Sequence, residues 1–271
     1  GEFFDVEEIV GDVKSKVEDT RERGDPIDYI SFVPDGEPTL DVGLGKEIEL
    51  LKPLGIKIAV ITNASLLWRE DVRDDLSDAD WVSLKVDAGT EDMWKKVNKP
   101  HESLEFETVL QGMRDFSNSF DGIVSTETML IEGVNDGRDE IEDIVEFLKE
   151  LSPDESYVAI PTRPPAEEDV MPANERSINL AFQIFSDNLD KVEYLIGYEG
   201  NEFSSTGDPR EDLLSITSVH PMREEGVNEL LTKTDSSWDV VEELIEENEI
   251  VELEFGDNKF YMRKLPGRQN D

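Results

Sequence analysis

Apolar positions along this chain alternate between two periods. Short runs rich in β-branched and apolar residues occur at 29–33 (YISFV), 57–62 (KIAVIT), 81–86 (WVSLKV), 122–131 (GIVSTETMLI) and 157–160 (YVAI), with a weaker run at 192–196. Runs of this length predict strands, the first of them buried. Between them lie helical patterns at 6–17, 42–54, 92–97, 104–116 and 139–151; in the last, Ile141, Ile144, Val145, Leu148 and Leu151 share one helical face. Strands that alternate with helices predict an α/β fold of parallel strands joined by right-handed crossovers. Most strand runs end in a polar or special residue: Asp-Gly-Glu-Pro, Asn63, Asp87, Glu132-Gly133 and Pro161. Polar strand ends on one rim place a binding site at the carboxyl face of a barrel or partial barrel.

Beyond residue 199 the pattern changes. Residues 200–209 (GNEFSSTGDP) read as a linker, which predicts a first domain at 1–199 and a second at 210–271. Three helical stretches follow, at 210–220, 223–231 and 238–247, the last capped by Ser236 or Ser237. Two strand runs, 250–255 and 259–264, flank a Gly-Asp-Asn turn and predict a hairpin. Three helices and a hairpin resemble a winged helix, whose third helix would read nucleic acid. That helix carries Asp239, Glu242, Glu243, Glu246 and Glu247, however, and phosphate binding needs cations. Arg263, Lys264 and Arg268 form too short a basic tail to reverse this. Duplex DNA is therefore a poor partner, and a protein-contacting or packing role fits this domain better.

Charge sharpens the picture. The 271 residues hold 66 acidic and 26 basic side chains, a net charge of −40. The acids are spread through segments with good apolar periodicity, so they coat a folded protein and do not mark a disordered tail. At about 1 M salt the screening length is about 3 Å and self-repulsion is much reduced. We therefore expect a halophilic, cytoplasmic protein. No apolar run approaches the ~20 residues of a membrane helix, and the start, Gly-Glu-Phe-Phe-Asp, shows no signal peptide.

Candidate chemistry sits at the predicted strand ends. Gly36 allows a positive φ or a close ligand approach, and Pro38 turns the chain out of the sheet. Glu37 either faces a ligand cation or serves as an acid at a helix start. Asn63 either bonds a ligand or caps its turn. Ser83, Lys85 and Asp87 share one strand face, as a ligand set or as a salt-bridged structural group. On the next strand Thr126 and Thr128 share one face, and Ser125, Glu127 and Met129 the other. Thr162 and Arg163, stiffened by two following prolines, suit a substrate carboxylate or phosphate, with a surface salt bridge as the alternative. Neither His101 nor His220 has the neighbours of a metal site or a nucleophilic triad.

The ordered segments GEPTL, ITNASLL, VSLKVDAG, NKPH, TETMLIEGVND and PTRPPAEE resemble the radical S-adenosylmethionine (SAM) superfamily. Within it they are most similar to the archaeal iron–sulfur oxidoreductase group related to tRNA-wybutosine synthases and molybdenum-cofactor enzymes. The resemblance runs from about residue 3 to about residue 201. It implies a partial (β/α)6 TIM-like barrel that holds SAM and a 4Fe-4S cluster and generates a 5′-deoxyadenosyl radical. It further implies that Gly36, Glu37 and Pro38 meet the SAM amino group, with Asp35 where a smaller residue is usual. By the same resemblance Ser83 and Lys85 meet the SAM carboxylate, Asp87 a ribose hydroxyl or the substrate, and Thr126 and Glu127 the SAM. A small-molecule or tRNA substrate follows by family analogy alone. The chain contains no cysteine, whereas a cluster needs thiolates. The family's first strand and cysteine loop are thus expected to be missing. The chain then reads as a radical SAM enzyme or a fragment of one, or as a cluster-less descendant that binds a ligand or a protein.

Overall fold

The computed structural model describes residues 5–33, 36–165, 167, 169–195, 205–219, 221–255 and 258–264. Asp35, His220, Arg268, Gly256 with Asp257, and residues 200–204 of the expected linker lie outside the described residues. The chain divides into two compact units, Gly1–Ile160 with Met171–Ile196, and Pro161–Val170 with Gly197–Asp271.

In the first unit the order is α1 (Val6–Arg23), β1 (Tyr29–Phe32), α2 (Leu44–Leu51), β2 (Lys57–Thr62), α3 (Glu70–Leu76), β3 (Trp81–Lys85), α4 (Glu91–Val97), α5 (Phe106–Ser119), β4 (Ile123–Met129), α6 (Arg138–Leu151), β5 (Glu155–Ala159), α7 (Glu175–Asn188) and β6 (Val192–Leu195). The six strands form one parallel sheet in sequence order. Among the described residues β1 and β6 each have one neighbour, so the sheet is open, as in a partial barrel. β1 is consequently an edge strand, half exposed, and not the buried strand its apolar run predicts. Its unpaired side leaves backbone groups open.

Local chemistry explains the element ends. Asp5 caps α1 by accepting from the N–H groups of Glu7 (2.9 Å) and Glu8 (3.0 Å), and Gly24 closes it at φ +82°. α2 is shorter than the pattern at 42–54 predicts: Pro53 tightens its end into a 3-10 turn, Lys52–Leu54. The core lies between sheet and helices. Ile58, Val60, Val82, Leu84, Val124 and Val158 pack from the sheet against helix residues such as Ile48, Leu51, Phe116, Ile144 and Leu148. Each fully buried side chain of this kind contributes about 1.5–3 kcal/mol. Two glycines allow close approach: a Cβ on Gly112 of α5 would lie 2.2 Å from the Trp68 nitrogen, and one on Gly89 would lie 2.3 Å from the Asp143 carbonyl carbon.

The second unit contains α8 (Pro209–Val219), β7 (Met222–Arg223), α9 (Glu224–Lys233), α10 (Asp239–Glu246), β8 (Ile250–Phe255) and β9 (Asn258–Arg263). The predicted hairpin is the antiparallel pair β8–β9, and the short β7 extends it to three strands in the order β7-β9-β8. Leu213, Val227, Leu230, Val241, Leu244, Ile250 and Tyr261 form a separate apolar core.

Candidate functional site

Glu37 organises the rim. It caps the 3-10 turn Pro38–Leu40 that follows β1. One carboxylate oxygen accepts from the Thr39 N–H (3.2 Å), the Thr39 hydroxyl (2.7 Å) and the Thr62 hydroxyl at the end of β2. The other accepts from the Asn63 N–H at 2.7 Å. A carboxylate has about four lone-pair sites, two on each oxygen; with three donors on one oxygen and one on the other, a lone pair of the second oxygen stays open. The Glu37 side chain ties the β1 and β2 loops together. A Cβ on Gly36 would meet no atom within 4 Å, so the space beside it is open.

Asn63 caps its turn: its Oδ1 accepts from the Ser65 N–H (2.9 Å), bracing a turn in which Ala64 sits at φ +61°. It also lines the rim cavity. On β3, Lys85 forms an ion pair with Glu127, its register partner on β4. Asp87 is buried just beyond. It accepts from the Met129 N–H (2.8 Å) through Oδ1 and from the Asn98 amide (2.9 Å) through Oδ2. Burial pushes its carboxyl above the usual carboxylate range, while Lys85 and these hydrogen bonds act the other way. Asn135, fully buried, donates to the carbonyls of Asp87 and Met129 (both 2.9 Å) and fastens the ends of β3 and β4.

Thr126 does not join this group. It is fully buried on the face of β4 that carries Val124 into the helix-packed core, and its hydroxyl donates to Ser156 (2.8 Å). Strand alternation puts Ser125 and Glu127 on the other face with Ser83 and Lys85. The Ser125 hydroxyl has no hydrogen-bond partner among the described residues, an open polar group that sequence reasoning missed. Thr162 and Arg163, expected at the barrel mouth, fall in the segment that groups with the second unit.

Glu37, Asn63, Lys85 and Asp87 all line one cavity of about 460 Å³, continued by Trp94, Asn98, His101 and Phe106. The cavity lies where the carboxyl ends of β1, β2 and β3 converge. Residues 3–148 match the radical SAM superfamily. The chain belongs to that superfamily. This radical SAM protein is 40% identical over 272 residues to UPF0026 protein MJ1312 of Methanocaldococcus jannaschii, covering all of this chain and 84% of that protein. It is 35% identical over 139 residues to UPF0026 protein slr1464 of Synechocystis sp., covering 51% of this chain and 52% of that protein. In fold it resembles a radical SAM methyltransferase from Sphaerobacter thermophilus (TM-score 0.56, 19% identity, 73% of this chain and 59% of that one). It also resembles TYW1 with a lysine-pyruvate adduct bound (TM-score 0.54, 16% identity, 69% and 64%).

Superfamily membership implies SAM and a 4Fe-4S cluster. The donor set fits SAM: the Lys85 ammonium, the Asn63 amide and the acceptors of Asp87 line one cavity, while Gly36 and Pro38 line a neighbouring one beside β1. It does not fit the cluster. There is no cysteine, and no group of three or more His, Asp or Glu among the described residues could hold a metal.

Proposed function

We propose that the first unit binds SAM in the cavity at the ends of β1–β3, as the SAM-binding part of a radical SAM activity. The observation that carries this is the convergence of Glu37, Asn63, Lys85 and Asp87 on one cavity in a member of this superfamily. When SAM is reductively cleaved, it supplies a 5′-deoxyadenosyl radical. The chain's own residues bind and orient. The Glu37 cradle fixes the loop whose carbonyls face the SAM ammonium, and Lys85 attracts its carboxylate. Asp87 retains lone pairs for a ribose hydroxyl, because each of its oxygens has one protein donor. The Lys85–Glu127 pair exchanges partners when the carboxylate arrives.

No catalytic step is assigned through the cluster, since these residues do not hold one. The absence of cysteine favours a second reading, a cluster-less module that binds a SAM-like ligand or a protein partner. In either case the substrate is a small molecule or an RNA by analogy alone, and the net charge of −40 opposes unaided RNA binding at low salt. No helix among the described residues is long and apolar enough to cross a membrane. From the dispersed net charge of −40 we propose the cytoplasm of a salt-adapted cell as its setting.

Calorimetric titration with S-adenosylhomocysteine at high KCl tests the common core of both readings. We expect saturable binding that weakens at least tenfold in Lys85→Met. Folded protein that gives no binding heat would refute the site. Formation of 5′-deoxyadenosine from added SAM after anaerobic addition of iron, sulfide and dithionite would then exclude the cluster-less reading.

A further inference from the structure

The cavity has a second part that SAM binding does not explain. It is lined by Asn98, Lys99, Pro100, His101 and Ser103, between α4 and α5, together with Trp94. Resting on the reading that the Glu37 and Asp87 side holds SAM, we propose that this part receives a second ligand, a flat ring bearing an oxyanion, and that His101 is the donor that selects it.

His101 is set up as a donor. The Ser103 N–H donates to its Nδ1 at 3.2 Å, and the Ser103 hydroxyl lies 2.8 Å from the same nitrogen. Because a backbone N–H points at Nδ1, the ring hydrogen sits on Nε2. The loop that carries it is held in place. Asn98 donates to Asp87, and Lys99 sits at φ +44° directly before Pro100. A non-glycine residue at positive φ is uncommon, and a following proline disfavours helical backbone further. Such a conformation persists where its surroundings over-determine it, so the loop presents His101 from a fixed position.

The charge pattern selects the sign of the ligand. In this part of the cavity Lys99 and His101 are lining residues and no acid is; Glu91, Asp92 and Glu102 border the segment without lining the cavity, in a chain with 66 acids among 271 residues. The acids that line the cavity, Glu37 and Asp87, belong to the side assigned to SAM. A locally basic wall on so anionic a protein concentrates anions at this point and repels them elsewhere. The ring preference comes from Trp94, half-buried on the wall, whose ring centroid lies 5.4 Å from that of Phe106 at 44°. Flat ligands stack or meet edge-on with such a surface.

The test uses the fact that the chain has only two histidines. Imidazole NMR signals are followed while benzoate or phenyl phosphate is titrated, with and without saturating S-adenosylhomocysteine. His101→Ala identifies the signal, and intrinsic tryptophan fluorescence gives probe affinities for the variants. We expect a saturable shift of the His101 ring with at least one probe. Benzoate alone would indicate a carboxylate ligand, and phenyl phosphate alone a phosphate. Probe affinity should fall at least tenfold in His101→Ala and recover partly in His101→Gln, which restores an N–H near Nε2. Affinity for S-adenosylhomocysteine should stay within twofold in both variants. No saturable shift with either probe would overturn the proposal, as would unchanged probe affinity in His101→Ala. A tenfold loss of S-adenosylhomocysteine affinity in that variant would place His101 in the SAM site and overturn it equally. If S-adenosylhomocysteine fails to bind the native protein, the proposed function fails separately, and the titration without it still decides this point.

Discussion

The Glu37 cradle yields the sharpest prediction. In Glu37→Gln one oxygen becomes an NH2 group with almost no change of volume. The native carboxylate accepts from two backbone N–H groups, those of Thr39 (3.2 Å) and Asn63 (2.7 Å), and from the hydroxyls of Thr39 and Thr62. The two N–H donors contact different oxygens. Whichever way the new amide turns, one buried backbone N–H therefore faces another donor, a loss of about 1–3 kcal/mol. The bonds that survive change from charge-assisted to neutral, roughly halving their strength. Together these give a destabilisation of about 2–4 kcal/mol. Urea suits the measurement because it leaves ionic strength unchanged. A Trp238→Phe background restricts the fluorescence signal to Trp68, Trp81 and Trp94 of the first unit. Glu49→Gln is the control, because Glu49 pairs with Lys46 (2.7 Å) on an exposed surface where such pairs contribute about 0–1 kcal/mol. A loss under about 0.5 kcal/mol in Glu37→Gln, or an equal loss in the control, would refute the cradle argument.

Three further outcomes are expected. Asp87 has a folded-state carboxyl raised by burial, so between its unfolded and folded values the native state binds the extra proton and stability falls as pH rises. Asp87→Asn removes that slope while Met129 and a flipped Asn98 amide keep their bonds. Its stability relative to the native chain should therefore climb from about pH 4 upward, and urea midpoints with a pH-independent difference would contradict this. Gly112→Ala would push a methyl to 2.2 Å from the Trp68 nitrogen and should cost about 1–3 kcal/mol or more in thermal melts. Gly11→Ala, on the exposed face of α1 with nothing within 4 Å, should gain about 0.5–1 kcal/mol. Thermal midpoints should rise from about 0.1 M to 3 M KCl as screening weakens self-repulsion, and a flat or falling midpoint would sink the halophilic reading.

The alternation of strands and helices was legible because buried parallel strands leave long apolar runs, and KIAVIT and WVSLKV are such runs. Edge position was not: YISF has the composition of a buried strand, and only pairing tells that β1 has one neighbour. α3 (EDVRDDL) escaped because just two of its seven residues, Val72 and Leu76, are buried. A hydrophobic period cannot be read from two positions. α7 was readable in principle, since Ile178, Ala181 and Phe185 stand at helical spacing.

At the site, the sequence located the rim but could not assign its contacts. The segments at Glu37, Asn63, Lys85 and Asp87 announce strand ends, and strand ends on one side of a parallel sheet converge wherever the sheet closes or nearly closes. What a carboxylate does once there depends on which donors the neighbouring loop supplies. Glu37 meets Thr39, Thr62 and Asn63, donors that lie up to 26 positions away in sequence. Which of the two named residues of β4, Thr126 or Glu127, shares the face of Lys85 was illegible for a related reason. Both faces of β4 are polar (Ser125 and Glu127 on one, Thr126 and Thr128 on the other), so hydrophobicity carries no sign of which face looks inward. The helix layer decides it, because Val124 must join the core, and strand alternation then buries Thr126 against Ser156 and leaves Ser125 beside Ser83 and Lys85. An unpartnered buried hydroxyl costs free energy unless something bonds it. The Ser125 hydroxyl, on the face that carries Lys85 and Glu127, is such a group: among the described residues nothing bonds it.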